Sequence, residues 1–175
     1  MKSILWPTLL LITLWVIMTA ILPGWMSARY VPNLILAGVL VLAVTHFDGR
    51  TIVLTAVFGL FLDIHSSLLM GSYTLAFPLL YWLTHFIFVR FVPSDRMNVA
   101  LPVTYMITEL LLKGWVYGIG LLATLVGWPI QPLFTLHGGL YSFFSLVMGG
   151  VLSVAIYVVW LEITHRFDKP LRLRR

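Results

Sequence analysis

FGLFLDIHSSLLMGSYTLAF, running from Phe58 to Phe77, holds a single carboxylate, Asp63, in a stretch otherwise built from apolar and small residues. Gly59 precedes that acid by four positions and Gly71 follows it by eight. The meaning of the placement depends on the solvent around the chain. Of the 175 residues, 61% are hydrophobic and only 10% are charged, and the mean hydropathy is +1.01. Soluble domains carry roughly a quarter charged residues, and a fold of this size could not hide so much apolar surface from water. The composition therefore predicts an all-α integral membrane protein.

A helix needs about 20 apolar residues to cross a hydrocarbon core. Six segments qualify, at about 4–22, 31–47, 51–64, 72–91, 98–126 and 133–163. Turn and cap chemistry separates them: Pro23-Gly24, Asp48-Gly49, Pro93-Ser94-Asp95 and Gly127-Trp128-Pro129. The expectation is a compact six-span bundle over residues 1–164, followed by a basic cytoplasmic tail over 165–175. Lys2 ahead of an apolar run resembles a signal peptide, but the run is long and Met26-Ser27-Ala28 is a poor cleavage site. That segment reads as the first span.

Basic residues orient the bundle, because cytoplasmic loops collect Lys and Arg. With the N-terminus inside, the inner side carries Lys2, Arg50, Arg90, Arg96, Arg166, Lys169, Arg172, Arg174 and Arg175, and the outer side only Arg29. Both termini are expected in the cytoplasm. The tail reads as an anchor attracted to anionic lipid at about 1 kcal/mol per basic residue, and the net charge of +5 needs no nucleic acid to explain it.

Asp63 lies about twelve residues into its span, so roughly 18 Å deep at 1.5 Å per residue. Glu109 sits at a similar depth on the fifth span, and Lys113 follows at the i, i+4 spacing that lets the two meet. An unpaired charge there costs at least about 2.5–3.5 kcal/mol. The reading is a buried polar cluster of Asp63, Glu109 and Lys113 that fixes the third span against the fifth, with a partner-facing site and a proton or ion relay as the alternatives. Small residues mark helix contacts in lipid. Gly138, Ser142, Ser145, Gly149 and Ser153 form one stripe on the last span, and Gly114 with Gly118 form a GxxxG on the fifth. Trp6, Trp25, Trp115, Trp128 and Trp160 read as an interfacial belt.

Catalytic signatures are missing. There are no cysteines, and His46, His65, His85, His137 and His165 have neither HExxH nor i, i+4 spacing. No nucleophile elbow or P-loop appears, and six acidic residues in all make a two-metal site improbable. No catalysis, cofactor or metal is expected.

Gly59-Leu60-Phe61-Leu62-Asp63 followed by Gly71 and Leu75, with Pro32-Asn33-Leu34 entering the second span, resembles the MreD family of bacterial rod-shape-determining membrane proteins. The resemblance covers most of the chain in pattern, but motif-level identity is confined to about twenty-five residues. It implies a non-enzymatic scaffold in the bacterial inner membrane, working with the bitopic protein MreC, the RodA glycosyltransferase, a class B penicillin-binding transpeptidase and the MreB filament in lateral peptidoglycan synthesis. It also makes Gly59, Asp63, Gly71, Pro32 and Asn33 the family-motif residues. The competing function is a substrate-binding subunit of an energy-coupling-type vitamin or metal-ion transporter, which is also a six-helix protein. The first span here has only Ala20 where such subunits often carry an Ala-x-x-x-Ala pair.

Overall fold

The computed structural model describes residues 2–25, 31–65, 71–92, 97–126 and 138–172. Six helices account for nearly all of them. Helix α1 runs over Lys2–Val16 and continues through a π-turn at Ile17–Ile21 into a last α-turn, Leu22–Trp25. Then come α2 (Leu34–Thr45), α3 (Gly49–His65), α4 (Ser72–Phe91), α5 (Met97–Leu125) and α6 (Gly138–Arg172). The π-turn has a local cause. Pro23 has no N–H to give the Thr19 carbonyl, and the Leu22 N–H reaches back five residues to the Ile17 carbonyl instead.

Among the described residues, four helical stretches are long and apolar enough to cross a membrane: Ile4–Trp25, Ser72–Phe91, Val99–Leu125 and Phe143–His165. The second expected span comes out shorter, at Leu34–Thr45, and the third slightly longer, at Gly49–His65, yet both fall short of a membrane crossing. At 1.5 Å per residue α2 measures about 18 Å and α3 about 26 Å, against a core of about 30 Å. The outward surface is apolar, with Val53, Leu75, Val89, Phe91, Val99 and Leu125 all well exposed. The last helix runs on to Arg172, so the first part of the basic stretch from 165 is helical despite Pro170.

The centre of the bundle is α2. Every residue from Leu34 to Ala43 is buried, and α2 packs on each of the other five helices. A helix that is apolar all round belongs in a core. Both its ends stop inside the protein, where stray backbone groups need partners. At the N-terminus the Asn33 side chain accepts a hydrogen bond from the Leu36 N–H at 3.0 Å. At the C-terminus the neighbours close the helix. His85 Nδ1 lies 2.9 Å from the Ala43 carbonyl, Tyr81 donates its hydroxyl to the His46 carbonyl, and Trp160 donates its indole N–H to Thr45 Oγ1 at 3.0 Å. Trp160 is therefore a core residue rather than part of an interfacial belt, 2% exposed. Arg29, Trp128 and His137, and the backbone of Arg174 and Arg175, lie outside the described residues.

Candidate functional site

Asp63 is 3% exposed, and its surroundings answer the question raised by its sequence. Helix α4 begins at Ser72 with Gly71 as its N-cap residue. The first turn of any helix has N–H groups with no intrahelical partner, which an N-cap side chain ordinarily accepts. Gly71 has no side chain to offer. Asp63, eight residues upstream on α3, takes over that role.

The geometry is specific. Asp63 Oδ2 accepts from the N–H of Gly71 at 3.0 Å, from the N–H of Thr74 at 3.0 Å and from the Thr74 hydroxyl at 2.6 Å. Asp63 Oδ1 accepts from the N–H of Tyr73 at 2.8 Å. A carboxylate at this end of α4 also meets the positive pole of the helix dipole. Charge-assisted bonds of this kind are roughly twice as strong as neutral ones, and lipid offers the N–H groups no water as a substitute.

Two glycines make the arrangement possible. Gly71 adopts φ +102°, a left-handed conformation that costs a residue with a Cβ about 1–2 kcal/mol. That turn lets the backbone N–H groups of Gly71, Tyr73 and Thr74 converge on one carboxylate. Gly59, one turn before Asp63, lies directly against the backbone of α4. A Cβ there would stand 2.5 Å from the Tyr73 carbonyl oxygen and 2.8 Å from Thr74 Cα. Only hydrogen fits, so the two helix backbones touch and the short Asp63 side chain spans the gap. Gly59, Asp63 and Gly71 thus form one joint between antiparallel helices.

The structure adds partners that the sequence did not name. Lys113 Nζ bridges to Glu109 Oε1 at 2.9 Å, while Asp63 is held by the first turn of α4. The reason is reach: the backbone N–H groups are brought to Asp63 by a direct helix contact, whereas Lys113 is satisfied within its own helix at i, i+4. Asp63 lies fourteen residues past Gly49, about 21 Å along α3, and so level with the first turn of α4.

Glu109 is 3% exposed, and its second oxygen, Oε2, is buried with no hydrogen-bond partner among the described residues. Tyr73 lies within electrostatic reach of both Asp63 and Glu109, so the two acids share a neighbourhood. Trp115, further along α5, donates its indole N–H to the Ser72 carbonyl at 3.2 Å and ties α5 to the same end of α4. Among the described residues no three of His, Asp or Glu gather as metal ligands do.

The small-residue motifs separate in the structure. On α6, Ser145 and Ser153 are buried, and Gly149 lies beneath the ring of Tyr105 from α5, leaving no room for a Cβ. The side chain of Ser142 lies outside the described set, as do the surroundings of Gly138. Gly114 and Gly118 behave in the opposite way: a Cβ on either would meet nothing within 4 Å. Internal packing of that GxxxG is therefore corrected, because the apolar surface of α5 beside it, at Leu110, Leu111 and Leu122, faces outward.

Pro32 and Asn33 lead into α2, with the Asn33 cap described above and its carbonyl 3.4 Å from the Tyr105 hydroxyl. Residues that sequence reasoning missed are Tyr73 and Thr74, whose backbone does the donating, and Tyr105, whose ring seats on Gly149. The available signal was Thr74 at the third helical position after Gly71, a place where a first turn needs an acceptor. The chain matches no family model, no curated protein and no solved structure.

Proposed function

We propose that this chain is a non-enzymatic scaffold of the MreD type, a multi-pass protein of the bacterial inner membrane with both termini in the cytoplasm. In this reading it holds the transmembrane helix of MreC and the cell-wall synthase, RodA with its transpeptidase, in the rod complex and so supports lateral peptidoglycan synthesis and rod shape. MreB would be met through the cytoplasmic ends of the helices.

One observation carries the proposal. The residues that bear the resemblance are employed in shape: Gly59, Asp63 and Gly71 build one joint between α3 and α4, and Asn33 caps the central helix. A rigid helical platform is what a scaffold requires, because association in lipid depends on fixed, closely fitting helix surfaces.

The experiment is co-purification from membranes. MreC should be recovered with the wild-type chain and lost with Gly59→Leu, while size-exclusion chromatography reports whether the variant remains folded. Failure of the wild type to recover MreC would overturn the reading.

A further inference from the structure

A groove of about 400 Å³ runs between α1 and α6, from Trp6 and Ile163 at one end to Ile17 and Ala155 at the other. Its lining is almost wholly apolar. The Thr13 hydroxyl in its wall donates to the Leu9 carbonyl at 2.8 Å, and the Trp160 indole N–H is taken by Thr45. The groove therefore offers hydrocarbon to an occupant and little polar recognition along its length.

Trp6 to Ile17 covers about 16 Å along the helix, a narrow apolar track that an extended hydrocarbon chain can follow.

Charge selects the head of that occupant. Past Ile163, α6 remains helical to Arg172 and carries Arg166, Lys169 and Arg172 at three-residue intervals. They stand about 4, 9 and 13 Å beyond the end of the groove at 1.5 Å per residue. At the start of α1, Lys2 precedes Trp6 by four positions, and the acids in these segments are Glu162 and Asp168. An apolar slot that opens beside a cationic helix end matches a molecule with an acyl chain and an anionic head.

We propose that the groove between α1 and α6 binds one acyl chain of an anionic phospholipid, with its phosphate headgroup against the basic continuation of α6. This goes beyond the scaffold reading and stands independently of it. Each basic residue near a membrane surface attracts anionic lipid by about 1 kcal/mol, which is a factor of about five in affinity.

Native mass spectrometry of the full-length protein from nonionic detergent tests this, with phosphatidylglycerol and phosphatidylcholine of identical chains as probes. The wild type should retain phosphatidylglycerol at least about fivefold better. Neutralising the helix end (Arg166→Gln, Lys169→Gln and Arg172→Gln together) should bring phosphatidylglycerol down to the phosphatidylcholine level. Filling the groove from its exposed rim, by Ala155→Trp or separately by Val159→Trp, should remove both lipids. Thermal unfolding identifies whichever of these two variants keeps its fold. Equal retention of both lipids by the wild type would overturn the proposal, as would unchanged binding after the groove is filled. A photocrosslinker at Ala155 that captures a protein helix or a second copy in membranes, and no lipid, would also overturn it.

Discussion

Gly59 on α3 and Gly114 on α5 occupy similar settings in the sequence, each a small residue in an apolar helix beside a charged group. In space they are opposites. Gly59 is pressed against the backbone of α4, whereas Gly114 looks onto open space. The charged neighbours differ in the same sense. Asp63 reaches across to another helix, and Glu109 pairs within its own helix with Lys113. A small residue thus marks a helix contact only where a second element arrives to use it. The joint between α3 and α4 is a tertiary feature, and the α5 motif is an exposed surface feature.

Substitution at the two glycines gives the sharpest contrast. Gly59→Leu forces α3 and α4 apart against rigid backbone, and should cost about 3 kcal/mol or more. Gly114→Leu should change stability by less than about 0.5 kcal/mol. Equilibrium unfolding in detergent, followed by tryptophan fluorescence, measures both, and equal costs would erase the distinction.

The acids come next. Asp63→Ala strips three backbone N–H groups of their acceptor, and should cost about 2–4 kcal/mol in the same unfolding measurement. Asp63→Asn keeps an acceptor oxygen but loses the charge, so about half that loss is expected. If the Asn variant were as damaged as the Ala variant, the negative charge would matter more to the joint than the capping bonds.

Within α5 the expected effect is asymmetric. Lys113→Met leaves Glu109 buried without its counter-charge, and should destabilise by about 2 kcal/mol or more. Glu109→Gln leaves Lys113, whose side chain is 30% exposed, able to reach toward a polar boundary. Its cost should stay below about 1 kcal/mol. Equal losses for the two variants would show that the pair is not buried on one side only.

Gly71→Ala is the smallest test of the joint. A Cβ there meets no neighbour within 4 Å, so only the backbone conformation at φ +102° is strained. A loss of about 1–2 kcal/mol is expected. An unchanged midpoint would mean that the turn relaxes without disturbing the Asp63 bonds.

Part of this was legible beforehand. The segment from Leu34 to Ala43 reads as an apolar helix, but an all-apolar helix suits either lipid or a core, and only the structure places it at the centre of the bundle. The bend at Gly71 and the run from Ser72 to Phe91 follow the sequence closely. The end of α2 at Thr45 was not legible, because no Pro or Gly follows before Gly49. The helix ends where Tyr81, His85 and Trp160 from distant positions supply hydrogen bonds to its last turn. Periodicity reports no partners so remote in the chain.

Composition pointed to an apolar helical protein, and the position of Asp63 in an apolar run demanded that the acid find partners within the protein, since both follow from the hydration energy of single side chains. Which groups meet that demand was decided by tertiary structure. A charge of either sign, a hydroxyl or a helix end can each satisfy a buried carboxylate. Only the close approach of α3 and α4 through Gly59 puts the N–H groups of Gly71, Tyr73 and Thr74 within 3.0 Å of it.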